Sequence, residues 1–136
     1  MNTKAVGEIT EAKIFSALVQ TYPAVLIPFG ENQRYDFVYE DFDGAFIRVQ
    51  CKTGRYENGA ISFKTHSIST NGGSYVKTRN YKGVIDYFGV SCEGRQEVYL
   101  VPVDDVPSTI GFLRVEHPKN NQLTNVRWAK DYLLVI

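Results

Sequence analysis

The stretch YDFVYEDFDGAFIRVQCK (residues 35–52) decides the fold. Residues 35–40 alternate apolar and polar side chains, Asp41-Phe42-Asp43-Gly44 carries turn chemistry, and residues 45–52 alternate again. That pattern predicts an antiparallel hairpin with one half-buried face. Upstream, residues 3–20 have helical spacing, with Ile14, Phe15, Leu18 and Val19 on one side. Tyr22-Pro23 ends this helix, because a proline disfavours helical geometry in the residue before it. Further strands are expected over 24–29, 59–65, 83–92 and 97–103, the last two joined by a Glu93-Gly94-Arg95 turn. Residues 66–82, rich in Ser, Thr, Asn and Gly, read as a long loop, residues 103–113 as a short helix, and residues 126–136 as an amphipathic closing segment. One leading helix followed by many strands predicts an α/β fold: a mixed central β-sheet with the first helix packed across it.

The 136 residues suffice for one domain, 1–136, and not for two. No apolar run reaches the roughly 18 residues of a membrane span, and the polar start lacks the apolar stretch of a signal peptide. Two cysteines, Cys51 and Cys92, cannot staple a chain of this size, so a reducing, cytoplasmic setting is expected. The formal net charge is zero, yet the charge is unevenly spread. Residues 44–82 hold Arg48, Lys52, Arg55, Lys64, Lys77, Arg79 and Lys82 against Glu57 alone, a net of +6. The remainder holds eight basic and fourteen acidic residues, a net of −6. An anionic partner feels local rather than total charge, since screening acts over about 8–10 Å. Tyr56, Tyr75 and Tyr81 are interleaved with these cations, as on a phosphate-facing surface.

Four polar residues stand where a plain core would be apolar. On a helical wheel Glu11 falls in the middle of the stripe of Ile14, Phe15 and Leu18, with Glu8 at its edge. A carboxylate there is costly unless paired, hydrogen-bonded or bound to a cation, although a place near the helix start would also favour it through the macrodipole. Asp36 interrupts an apolar strand. Gln50 and Lys52 share one face of their strand with Arg48, while Val49 and Cys51 take the other. His66 and His117 are isolated and read as surface or core residues.

An acid on a first helix, an acid on a strand and a polar-x-Lys on the next hairpin strand together resemble the PD-(D/E)XK nuclease superfamily. The closer resemblance is to its glutamine-containing members, among them the intron-encoded homing endonucleases of bacteria. It is carried by Gly7-x-x-x-Glu11, IPFGENQRYD (27–36), RVQCKTG (48–54), IDYFGV (85–90), VYLVPVDDVP (98–107) and NNQLTNVRWAKDY (120–132), in order along nearly the whole chain. Tyr35 stands where the family often has proline, and Gln50 where it usually has an acid, which removes one negative charge from a hard-cation site.

The resemblance implies a restriction-endonuclease-like αβββαβ core and Mg²⁺-dependent hydrolysis of phosphodiester bonds in double-stranded DNA, with Mn²⁺ able to substitute. Asp36, Gln50, the Cys51 carbonyl and Glu11 would hold the metal, Glu11 restoring the charge lost at Gln50. Glu8 is a second candidate for the helix acid. Lys52 would orient the attacking water or steady transition-state charge. Arg34, Arg48, Arg55, Lys64, Lys77, Arg79 and Lys82 would contact DNA. Ser67, Ser69, Thr70, Asn71 and Thr78 would accompany them from the 66–82 loop into a groove. Cutting both strands calls for a symmetric homo-oligomer, a dimer or tetramer, for which the apolar tail Tyr132–Ile136 is a candidate interface. Two alternatives share the fold: a Holliday-junction resolvase, and a non-catalytic DNA-binding domain for which Gln50 is the best argument.

Overall fold

Helix α1 (Thr3–Thr21) starts where the Asn2 side chain accepts the Ala5 N–H at 2.8 Å, and ends one residue short of Tyr22-Pro23, as expected. The computed structural model describes residues 2–30, 32–71, 75–120 and 123–136, with the backbone alone for 68–71 and 75–78. Thr10, Ile14, Ala17 and Leu18 face inward, and Val19 faces solvent. The helix therefore rolls slightly from the stripe expected, which leaves Glu11 half-buried at its rim.

Among the described residues nine strands follow: β1 (Ala24–Leu26), β2 (Phe37–Glu40), β3 (Phe46–Glu57), β4 (Ala60–Lys64), β5 (His66–Asn71), β6 (Tyr75–Asn80), β7 (Tyr87–Cys92), β8 (Val98–Pro102) and β9 (Ile110–Arg114). Strands β2 and β3 form the expected antiparallel hairpin, β1 pairs antiparallel with β2, β7 runs parallel to β3, and β8 returns antiparallel to β7. The sheet is mixed and α1 packs across β3 and β7. In an αβββαβ core a second helix would connect β3 to β7. Here the crossover is made by β4 and the two-stranded β5–β6 ribbon, and α1 is the one α-helix among the described residues. Residues 66–82 thus hold a hairpin rather than a loop. The segment expected as a short helix splits at Pro107 into a 3₁₀ turn (Val103–Asp105) and β9. The tail lies on β8 through Leu100 N–H to Tyr132 O and Leu134 N–H to Val98 O, both 2.9 Å, leaving Val135 and Ile136 exposed.

The sheet has an apolar layer on each face. Ile14, Ala17 and Leu18 of α1 meet Phe37, Tyr39, Val49 and Cys51 on one. Ile61, Phe63, Tyr81, Phe88, Val90 and Leu113 fill the other. Gly54 lets β3 sink into the second layer: a Cβ there would lie 2.7 Å from Ile61 Cγ2 and 2.9 Å from Cys92 Sγ. Gly54→Ala should therefore destabilise the fold by about 1–3 kcal/mol, read as a lower denaturant midpoint at unchanged slope.

Strand β3 changes partners along its length. It pairs with β2 over 46–49 and with β4 over 55–57. The turn at Asn58 and Gly59, both at positive φ (54° and 76°), is a two-residue hairpin loop that makes Glu57 and Ala60 a hydrogen-bonded pair. Strand alternation then puts β4 on the same edge of β3 as β2. Between them residues 50–54 are paired only with β7, and the other edge stands open. Asp36 occupies that gap.

Candidate active site

Asp36 lies just before β2, its own N–H bonded to Val49 O at 2.8 Å, and its Oδ2 accepts the Cys51 N–H at 2.8 Å. The carboxylate thus substitutes for the missing strand partner. Alternation turns the Cys51 carbonyl toward this same open edge. From above, α1 places Thr10 against Thr53, Oγ1 to Oγ1 at 2.7 Å, and so registers the helix on β3. The next residue, Glu11, lies beside Asp36, close enough for each carboxylate to feel the other's charge, and both line the same clefts.

Glu8, Glu11, Asp36, Gln50, Cys51 and Thr53 line one open cleft of about 370 Å³. Gln50 lines the cleft although its side chain starts on the face of β3 away from α1. A second cleft of about 540 Å³, bordered by Phe15, Ile27, Gln33 and Tyr35, adjoins the first. Glu11 and Asp36 line both and form the divide between them. Burial, then the charge and hydrogen bond of Asp36, then the charge of Glu8, push the Glu11 carboxyl up to about 6. Burial also raises the Cys51 thiol well above its usual range, so that residue offers its backbone carbonyl rather than its sulfur.

Among the described residues no three His, Cys, Asp or Glu side chains form a ready cation cage. The oxygen set is smaller: the neighbouring Glu11 and Asp36 carboxylates, with Gln50 and Cys51 lining the same cleft. Such a set fits a hard divalent ion that keeps several waters and takes further oxygens from a phosphate substrate.

Lys52 is not brought into this cleft. It points to the opposite face of β3, where Nζ donates to His66 O and to the Tyr81 hydroxyl, both at 3.3 Å. Arg34 joins it there: its guanidinium lies 4.3 Å from the centre of the Tyr81 ring, and Nη2 donates to Ser67 Oγ at 3.0 Å. The open edge of β3 therefore has carboxylates on one side and two cations on the other. Tyr81, read from sequence as a surface tyrosine, is in fact 4% exposed.

The other basic residues separate. Arg48 is bound by Asp86, with Nε–Oδ2 and Nη2–Oδ1 both 3.2 Å, and its N–H donates to Asp86 Oδ2 at 2.8 Å. That arrangement fastens the start of β7 to β3 and holds the Asp86 carboxyl below its ordinary range. The Arg48 charge is thus paired with an acid within the fold. Arg55 pairs with Glu57 at 3.0 Å on the surface, while Lys64, Arg79 and Lys82 are exposed. The side chains of Lys77, Ser69, Thr70, Asn71 and Thr78 lie outside the described residues. His66 caps β5 through a 2.8 Å contact between Nδ1 and Thr109 O, and His117 packs on Trp128.

The structure is similar to that of a bacterial homing endonuclease, I-Ssp6803I, with a TM-score of 0.71 over 98% of this chain and 89% of that one, at 24% sequence identity. At that identity the likeness establishes the fold. No curated protein sequence matches significantly. No described helix is long and apolar enough to cross a membrane. A sequence family described as PD-(D/E)XK endonuclease matches residues 1–135. With that match spanning the whole of the open β3 edge and the helix above it, the chain belongs to the PD-(D/E)XK endonuclease family.

Proposed function

We propose that this endonuclease is a Mg²⁺-dependent, site-specific enzyme of the homing type, cutting double-stranded DNA across the open edge of β3. The observation that carries this reading is that Glu11 and Asp36 line one cleft at a gap in the sheet, together with Gln50 and Cys51. Asp36, Glu11, Gln50 and the Cys51 carbonyl would hold the ion, with Glu8 at the rim. When bound, Mg²⁺ polarises the scissile phosphate and lowers the pKa of a water.

The chain's own residues do the rest. Asp36 keeps the β3 edge open by occupying its hydrogen-bond position. Glu11 supplies the second negative charge that Gln50 does not. Lys52 and Arg34 meet the phosphate from the opposite side and offset its developing charge. Arg79, Lys82, Lys64 and Arg55 supply backbone contacts that orient the duplex. Cutting both strands requires two such sites, so a symmetric oligomer belongs to this reading.

Gln50 in an acid's place favours a second reading, a DNA-binding domain without cleavage, and one experiment separates them. The purified chain is incubated with a randomised duplex library in Mg²⁺, Mn²⁺ or EDTA, and the new ends are sequenced. The expected result is one consensus cut site in Mg²⁺ or Mn²⁺ and none in EDTA. Lys52→Ala should bind DNA normally and cleave about a hundredfold to a thousandfold more slowly. Retained binding with no cut in either metal would select the binder, and cuts confined to four-way junctions would select a resolvase.

A further inference from the structure

Tyr81 follows the β5–β6 hairpin and joins three things: the hairpin, the second apolar layer and both unpaired cations of the site. Its ring is fixed edge-on against Phe88, with centres 5.5 Å apart and planes at 90°. Phe88 in turn sits opposite Gln50 in the β3–β7 register. The turn after it is closed by Val84 and Ile85 N–H groups, which donate to the Tyr81 carbonyl at 3.0 and 3.2 Å. The ring thus cannot swing without breaking the packing that aligns β7 with β3.

On this fixed ring lie two like charges. Arg34 Cζ is 4.3 Å from the ring centre and Lys52 Nζ is 4.8 Å from it, with the hydroxyl also accepting from Lys52 Nζ at 3.3 Å. Among the described residues neither cation forms an ion pair with an acid. The remaining partners are neutral oxygens at the base of the hairpin: His66 O for Lys52, Ser67 Oγ and Arg79 O for Arg34. Two cations gathered on one aromatic ring, with neutral acceptors as their other partners, are stabilised by the ring and left free to bind an anion.

We infer that Tyr81 is a positioning residue of this enzyme, setting the Lys52 ammonium and the Arg34 guanidinium on one aromatic surface so that both address the same DNA phosphate. This rests on the nuclease reading above. It makes Tyr81 act through Lys52, and it predicts graded losses: the hydroxyl governs one contact of the ammonium, the ring governs the placement of both cations.

The test uses the full chain on duplex DNA containing its cut site, in Mg²⁺. Tyr81→Phe keeps the ring and should lower kcat about fivefold. Tyr81→Leu should lower it about fiftyfold, with DNA affinity in EDTA changed less than about threefold. In a Lys52→Ala background Tyr81→Phe should have little further effect, because the ammonium that its hydroxyl contacts is gone. A purely structural role would instead reduce melting temperature and DNA affinity, and would add to Lys52→Ala. If the Leu variant folds poorly, Tyr81→Phe and its cycle with Lys52→Ala decide alone. Full activity of Tyr81→Phe and Tyr81→Leu, or additivity with Lys52→Ala, overturns the inference. An inactive wild type overturns the nuclease reading first, and the role of Tyr81 with it.

Discussion

Asp36→Asn is expected to lower the DNA cleavage rate by about a thousandfold or more while leaving the fold intact. Asp36 has two tasks that this substitution separates. Structurally, Oδ2 accepts the Cys51 N–H in the gap between β2 and β4. An asparagine carbonyl can accept the same hydrogen bond, so the edge of β3 stays satisfied. Asp36→Ala cannot, and should cost an added 1–3 kcal/mol, approximately, for the orphaned N–H. Chemically, Asp36 is one of the two neighbouring carboxylates, with Glu11, that line the cleft. Asparagine turns that charge into a neutral amide beside Gln50, another amide, leaving Glu11 with only Glu8 at the rim as anionic company. A hard cation binds such a set poorly, and metal assistance worth several kcal/mol corresponds to about three decades of rate. Two measurements check this. Mg²⁺ at about a hundredfold over its Kd should stabilise the wild type by about 2.7 kcal/mol and leave Asp36→Asn nearly unmoved. Cleavage by Asp36→Asn within tenfold of wild type would remove Asp36 from the site.

Much of the frame that carries these residues is legible in the sequence, for physical reasons. Strand β3 shows itself because Val49 and Cys51 bury against α1 while Arg48, Gln50 and Lys52 turn away, a period of two imposed by burying one face. Tyr22-Pro23 marks the end of α1 by sterics alone. The β5–β6 ribbon leaves no such mark. It forms a two-stranded sheet of its own, so its Ser, Thr and Asn residues need no apolar face and resemble a loop. The Arg48–Asp86 pair is equally silent, since its partners are 38 residues apart and only folding makes them neighbours. It pairs with an acid a cation that composition alone would count as free. The site divides along the same line. Glu11 and Asp36 stand out because each breaks an apolar pattern, whereas Tyr81 reads as one more tyrosine among lysines until the packing of Phe88 buries it.

The pairing of Glu11 with Asp36 also predicts a conflict between stability and activity. Burial and neighbouring carboxylates lift the Glu11 carboxyl from about 4.5 to about 6 in the folded chain. A carboxyl raised on folding contributes stability below its unfolded pKa, and that contribution is lost as pH rises through 4.5 to 6. At pH 7.5 in EDTA the ionised Glu11 therefore opposes folding. The full shift would be worth about 2 kcal/mol, and solvent around the partly exposed group reduces this to about 1 kcal/mol. Glu11→Gln keeps the size of the side chain and can still hydrogen-bond Asp36, but carries no charge. It should raise the melting temperature by about 4 °C at pH 7.5 in EDTA and have little effect at pH 4, where wild-type Glu11 is already protonated. Saturating Mg²⁺ should reverse the order, because the cation rewards the charge that the free protein resists. Cleavage should fall by about a hundredfold or more at every pH, since glutamine leaves Asp36 with only Glu8 at the rim as anionic company. These opposite signs in one variant mark a residue kept for function against its cost in folding. A Glu11→Gln protein less stable than wild type at pH 7.5 without metal, or one cutting DNA at the wild-type rate, would mean that the helix acid serves the fold alone.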